Sequence, residues 1–201
     1  MPPPPMHASR TALLIATAAA ISVATGSVPN ADGKARSWQA KARVAQADGC
    51  QSADARPVNT DLAVIRAATI CLLNVERERA GREPLREHTS LRNVASRYSE
   101  QMVTDRFFDH TSPSGSTMTI RIKRSNYLRG ARAWALGENL AWGSGQLATP
   151  RQTVKAWMRS PGHKANILSP KFKDVGIGVS TGTPRGADNG ATYTADFGRR
   201  S

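Results

Sequence analysis

The chain changes its hydrophobic period along its length, and this change limits its fold more than any other sequence feature. From Asp61 onward, apolar side chains recur every three or four residues in two segments, which predicts two amphipathic helices. Near the C-terminus the period becomes two, which predicts two strands. Helices followed by antiparallel strands indicate an α+β domain built in layers. The residues of these patterns are Leu62, Ile65, Thr69 and Leu72; Leu91, Val94, Ala95, Tyr98 and Met102; Val175, Ile177 and Val179; and Tyr193, Ala195 and Phe197.

The segment between the second helix and the strands is less regular. A short helix is expected over residues 118–127, and residues 135–143 form an apolar run with a glycine near each end. Thr149 is a good N-cap for a further helix, because Pro150 at the first helical position and Gln152 complete a capping box. On that helix Trp157 is expected to lie in the core, and residues 160–162 end the helix. Residues 182–190 are expected to form a hairpin loop.

The N-terminal sequence is typical of an export signal. Arg10 precedes an apolar run over residues 11–25 that is short for a membrane span, so we expect a signal peptide over residues 1–26. An uncleaved anchor is the alternative. Residues 27–60 lack periodicity and are expected to form a linker, disordered apart from a tether at Cys50, before a domain over residues 61–198. These features predict a secreted, extracellular protein.

Two cysteines, Cys50 and Cys71, are present in the chain. Disulfides persist in exported proteins, so one bridge between them is the leading interpretation, and two free thiols are the alternative. A loop of about twenty residues closed in this way would contribute about 3 kcal/mol to stability.

The chain carries a net charge of +13. Strong basicity is compatible with nucleic acid, an anionic membrane or an acidic cell wall as partner. The cationic residues are scattered and no basic patch is interleaved with aromatic residues, so a solvated basic surface is the simpler interpretation. Nucleic acid is therefore an unfavoured partner.

Three side chains could carry chemistry. His110 and His163 each follow a helix in a turn-rich segment, and Glu138 lies in an apolar stretch where an unpaired carboxylate would be costly. Two imidazoles and a carboxylate could hold a divalent metal such as zinc. The alternative is structural, with hydrogen-bonded imidazoles and a carboxylate that orders a loop. The sequence contains no H-E-x-x-H, phosphate-loop or G-x-S-x-G motif.

Seven ordered sequence blocks resemble the CAP superfamily, which contains cysteine-rich secretory proteins, antigen 5 and plant pathogenesis-related proteins. The resemblance runs from about Asp61 to Gly198 and is greatest to the bacterial SCP-domain branch. The blocks are Asn74-x-x-Arg77-x-x-x-Gly81-x-x-Pro84-Leu85; Leu91-x-x-x-Ala95; Phe108-x-His110; Gly137-Glu138-Asn139-Leu140; Trp157-Met158-x-Ser160-x-Gly162-His163-x-x-Asn166-Ile167-Leu168; Gly176-x-Gly178-Val179; and Tyr193-x-x-x-Phe197-Gly198.

The resemblance implies a three-layer α-β-α sandwich with a mainly antiparallel central sheet and a large cleft. The family cleft commonly carries two histidines and two acids. His110, His163 and Glu138 match three of these positions, while Ser160 stands at the position of the second acid. The absence of that acid weakens both acid–base catalysis and metal affinity.

Three functions remain open at this stage. The favoured one is a noncatalytic, monomeric binding module for a lipid, protein or cell-wall ligand, because the resemblance implies such ligands and one acid is missing. The second is a metal-dependent hydrolase or protease in which His110 and His163 hold a metal and Glu138 is the general base. A serine variant of this second function would pair Ser160 with His163. The third is association with the cell wall or with nucleic acid through basic charge, which salt should abolish.

Overall fold

The computed structural model of this protein describes residues 49–201. The predicted signal peptide, and residues 27–48 of the predicted linker, lie outside the described residues. Among residues 49–201 no helix is both long and apolar enough to cross a membrane. The helices are α1 (Leu62–Arg79), α2 (Thr89–Thr104), α3 (Met118–Lys123), α4 (Pro150–Arg159) and α5 (Pro161–Leu168), and the strands are β1 (Arg86–Glu87), β2 (Trp134–Ser144), β3 (Asp174–Thr181) and β4 (Gly190–Arg200).

The four strands form one mixed sheet in the order β1-β3-β4-β2. β1 runs parallel to β3, and the other two pairs are antiparallel, so the sheet is mainly antiparallel as predicted. β2 pairs with β4 along its whole length, from Trp134 opposite Arg200 to Ser144 opposite Gly190. β2 therefore forms one edge of the sheet.

Helices cover both faces of this sheet, which confirms the predicted sandwich. β4 is buried continuously from Gly190 to Gly198, whereas a strand with one solvated face would alternate between buried and exposed residues. One face packs into the main core with α1 and α4, and α2 covers the other face. Gly176 and Gly178 allow α2 to approach closely, because a Cβ atom at either position would collide with the α2 backbone.

Local sequence signals explain where the helices begin. Asp61 caps α1 by accepting a hydrogen bond from the Ala63 amide at 2.7 Å. Thr149 caps α4 by accepting from the Gln152 amide, with Pro150 at the first helical position as predicted, but the Thr149 amide donates to the Gln146 carbonyl and so the capping box is half formed. α4 buries Trp157, whose indole Nε1–H donates to the Leu140 carbonyl at 2.9 Å. That hydrogen bond joins α4 to β2.

Cys50 and Cys71 form the predicted disulfide, with their Cα atoms 5.6 Å apart. Cys50 and Ala53 both belong to the main core, and the Arg151 amide donates to the Ala53 carbonyl at 2.9 Å. Cys50 is thus a tether, as expected, and residues 51–60 of the predicted linker are ordered against the domain. These residues pack on the domain because the disulfide holds them against α1 and a hydrogen bond holds them against α4.

The structure corrects one local prediction and adds detail to two others. The apolar run at 135–143 is part of strand β2, in which large residues alternate with glycine and other small residues. The short helix predicted to reach residue 127 ends at Lys123. Residues 160–162 do end α4, but Pro161 also starts α5 at once, since proline suits the first position of a helix.

Candidate functional site

Glu138 lies at the centre of a polar network on the α2 side of strand β2. Its side chain is only 2% exposed, so its charge must be balanced by nearby donors. One carboxylate oxygen is 2.8 Å from His110 Nδ1, and the other accepts a hydrogen bond from Arg121 Nη2 at 2.5 Å. Both oxygens are therefore engaged by nitrogen donors.

Arg121 on α3 is the cation of this network, and it was not among the residues predicted from the sequence. Besides its bond to Glu138, Arg121 donates to the backbone carbonyls of His110 at 3.2 Å and Ser116 at 2.7 Å. Its guanidinium also lies over the ring of Tyr98, 3.2 Å from the ring centroid. Arg121 thus fixes the loop that carries His110 and neutralises the buried carboxylate.

His110 lies on the loop between α2 and α3 and is the accessible member of the pair. Its side chain is 57% exposed, and the Tyr98 hydroxyl holds the preceding residue by donating to the Asp109 carbonyl at 2.6 Å. The hydrogen bond that His110 donates to Glu138 raises the pKa of His110, although partial burial opposes this. The bond also uses Nδ1, which leaves Nε2 as the ring nitrogen that a ligand can reach.

Asp196 on β4 is a second carboxyl group beside Glu138, and it too was missed. The two residues are paired across the β2–β4 ladder, and Asp196 is completely buried. Among the described residues, neither of its oxygens has a partner of good hydrogen-bond geometry. Burial, and then the charge of Glu138, raises the pKa of Asp196 well above its usual value, with Arg121 acting in the opposite direction. Burial therefore favours the neutral form of Asp196.

His163 was expected in an irregular segment after α4, but it lies in the first helical turn of α5. Asn139 on β2 holds this turn by donating to the His163 carbonyl at 3.0 Å. Asn166 ties the same helix to β2 through the Asn139 side chain at 2.9 Å and the Glu138 carbonyl at 3.2 Å. Burial, and then the charge of His110, lowers the pKa of His163. The two imidazoles are thus close enough to influence each other, and their pKa values are shifted in opposite directions.

Arg77 on α1 holds the other end of α5. This arginine is 1% exposed, and its guanidinium donates to the carbonyls of Glu83 at 2.7 Å, Ile167 at 2.6 Å and Ser169 at 3.0 Å. A charged donor satisfies several carbonyls at once where the chain leaves α5. Arg77 therefore positions the helix that carries His163.

The structure brings some of the predicted site residues together and leaves others apart. His110 and Glu138 are hydrogen-bonded, whereas His163 bonds to neither of them, and no hydrogen bond joins Ser160 to His163 within residues 49–201. In the same range no three His, Cys, Asp or Glu side chains are grouped closely enough to hold a metal ion. The donor set is therefore a poor fit to a resident divalent metal, since protein sites normally supply at least three ligands.

The layered sandwich, with a histidine–glutamate pair at the edge of its sheet, defines a CAP-type domain. The model of the cysteine-rich secretory protein family, CAP, matches residues 71–197, and this chain belongs to that family. A curated relative, the uncharacterized protein YkwD of Bacillus subtilis (strain 168), is 34% identical over 126 residues, which are 63% of this chain. The chain spans only 44% of that relative's length.

Solved structures share the same architecture. An extracellular protein containing an SCP domain from Bacillus anthracis str. Ames is 26% identical, with a TM-score of 0.53, over 64% of this chain and 38% of its own. An outer surface protein from Borrelia burgdorferi has a TM-score of 0.55 and 24% identity, over 66% of this chain and 90% of its own. At 24% identity, the likeness to the Borrelia burgdorferi protein shows a shared fold alone.

Proposed function

We propose that this CAP domain is a noncatalytic, extracellular binding module whose cleft presents His110 to a ligand. The observation that carries the proposal is the engagement of Glu138: one oxygen lies against His110 and the other accepts from Arg121. A general base must accept a proton from substrate or water within hydrogen-bond reach. Here the Glu138 side chain is only 2% exposed, so water has little access to the lone pairs that these two donors leave free.

The cleft instead offers a hydrogen-bond donor. His110 Nε2 is the ring nitrogen not used by Glu138, and the raised pKa of His110 favours the protonated ring, in which Nε2 is a donor. Threonine side chains and Met118 surround this imidazole in an open depression of about 280 Å³, lined by His110, Thr111, Thr117, Met118, Thr119 and Glu138. This volume is at the small end for ligand pockets. The ligand class is therefore a carboxylate or carbonyl group, which a lipid, a protein or a wall component can supply.

An NMR titration tests this role of His110. N-acetylalanine serves as a small carboxylate probe, and the imidazole signals of His110 report its binding. We expect these signals, and the backbone amide signals of Thr111 and Thr117 in the same depression, to move on addition of the probe, and the amide shifts to disappear in His110→Gln while the fold is retained. Thr181→Ala, at the exposed end of β3 and outside the depression, is the control and should leave the affinity unchanged. Absence of any shift in the parent protein would refute the donor role.

Hydrolysis of peptide or ester probes tests the noncatalytic part separately. We expect no turnover above the uncatalysed rate, with or without added zinc. Turnover that is lost in Glu138→Gln would overturn the proposal and favour a metal-dependent hydrolase instead.

A divalent metal is a second candidate ligand, and one observation favours it. A carboxylate bonded to Nδ1 of a histidine is the arrangement that orients Nε2 toward a metal in many sites. His110 and His163 would be the two protein ligands and water would complete the shell. With two imidazoles alone, binding is expected to be weak and easily reversed by protonation.

A further inference from the structure

A second concave surface lies near the His110 cleft and is lined by aromatic and cationic side chains. We call it the Trp142 surface, and it encloses about 590 Å³ open to solvent. Phe108 is 43% exposed and Trp142 is 39% exposed, which is unusual for aromatic side chains in a domain with a well-filled core. The surface is lined by Arg106, Phe107, Phe108, Trp142, Pro184 and Arg185.

These side chains come from three parts of the fold, namely strand β2, the β3–β4 loop and the segment that follows α2. Trp142 lies on β2 four residues beyond Glu138, on the same face, and so about 13 Å along the strand. Arg185 comes from the β3–β4 loop, and its guanidinium carbon is 5.9 Å from the centroid of the Trp142 ring. Arg106 and Phe108 follow the end of α2, where Phe107 packs edge-on against Tyr98 at 5.9 Å. This surface is therefore separate from the hydrogen bonds around Glu138.

We propose that the Trp142 surface binds an acidic polysaccharide, a sugar chain that carries carboxylate groups. A pyranose ring has one apolar C–H face, which can lie on an exposed indole such as Trp142. A carboxylate on the same or the next sugar would then meet Arg185 or Arg106, whose planar guanidinium groups suit bidentate binding of carboxylates. The net charge of +13 supplies long-range attraction to such a chain.

The same features favour a glycan over other polyanions. Single-stranded nucleic acid is bound by a succession of aromatic platforms along a basic groove, whereas two exposed aromatic residues line this surface. A membrane surface is bound by a broad apolar face, whereas here two arginines border the aromatic residues. The disulfide between Cys50 and Cys71 is typical of proteins that work outside the cytoplasm, where polysaccharides are available.

Isothermal titration calorimetry of the full domain with a galacturonate hexasaccharide tests the proposal. We expect Trp142→Ala and Arg185→Ala each to weaken binding about tenfold, as anchor residues do. Trp134→Ala is the matched control, because Trp134 is also an exposed tryptophan on β2 with a cation, Lys123, 5.6 Å from its ring. Arg129→Ala, an exposed arginine elsewhere on the domain, is the control for lost charge. Both controls should retain the parent affinity within about twofold.

The chemical class is tested with altered probes. The methyl-esterified hexasaccharide should bind at least tenfold more weakly, because its carboxylates no longer carry charge. If the hexasaccharide fails to bind the parent protein, or if all arginine and tryptophan variants weaken binding equally, the proposed surface is wrong. If a twelve-residue oligothymidylate binds more tightly, with the same dependence on Trp142 and Arg185, the surface is a nucleic-acid site and the glycan assignment is overturned. Unchanged melting of each variant shows that lost binding is not lost folding.

Discussion

Replacement of Trp157 by alanine is expected to be among the most damaging single changes to this domain. The side chain is 1% exposed in the main core, and truncating a buried tryptophan to alanine costs about 3–5 kcal/mol because a cavity remains. Part of this cost is a lost hydrogen bond, since the indole donates to the Leu140 carbonyl at 2.9 Å. A buried carbonyl left without its donor costs about 1–3 kcal/mol. Trp157→Phe removes the donor but keeps most of the ring volume, so it should cost clearly less than Trp157→Ala.

Urea unfolding of the oxidised protein, followed by circular dichroism at neutral pH, measures both variants against the parent. For a domain of this size a loss of 3–5 kcal/mol lowers Tm by about 6–20 °C, which thermal melts can verify. If Trp157→Ala is within about 1 kcal/mol of the parent, Trp157 does not fill the core between α4 and β2. If the phenylalanine variant is as unstable as the alanine variant, the hydrogen bond to β2, and not the cavity, accounts for the loss.

Three further predictions concern the disulfide, the buried acid and the metal. Intact mass after alkylation should show Cys50 and Cys71 blocked until reductant is added, and their reduction should lower stability by about 2–4 kcal/mol; alkylation without reductant would contradict the bridge. The pKa of Asp196 is raised in the folded state, so the unfolded chain loses this proton first as pH rises from about 4. The free energy of unfolding therefore falls as pH rises above this value. Asp196→Asn should therefore be nearly neutral in urea unfolding at pH 4 and stabilising at pH 8, and equal effects at both pH values would refute this. Calorimetry should detect weak zinc binding that is lost in a His110→Ala/His163→Ala double variant, and identical behaviour of parent and variant would exclude these imidazoles as ligands.

The elements that the sequence predicts well are those whose residue types follow one simple period. α1 and α2 each bury one helical face, so their pattern and their environment agree. β3 and β4 are buried on both faces, and their residue types still alternate, in β3 because Gly176 and Gly178 face the closely packed α2. The N-cap at Thr149 was also predictable, because capping depends on residues within one turn. These features fix the fold class before any long-range contact is known.

β2 escaped prediction because its buried positions are not all apolar. Glu138 and Asn139 are both buried, one bonded to Arg121 and the other to α5, so the strand lacks the apolar–polar alternation of a half-buried strand. The regular alternation of large and small residues from Trp134 to Ser144 is the sequence signal that predicts this strand. Asp196 carried no local signal at all, since only the pairing of β2 with β4 brings it beside Glu138.

The proton on His110 changes the charge of the cleft, because His110 is the exposed member of the network around Glu138. Burial favours the neutral form of Asp196, and the charges of Glu138 and Arg121 oppose each other across a bond of 2.5 Å. Protonation of His110 therefore adds one positive charge beside this pair. An anionic ligand binds the protonated form better, and by linkage it must raise the pKa of His110 further. Affinity for a carboxylate ligand in this cleft should consequently fall as pH rises through the pKa of His110, whereas a neutral carbonyl ligand should show a smaller dependence.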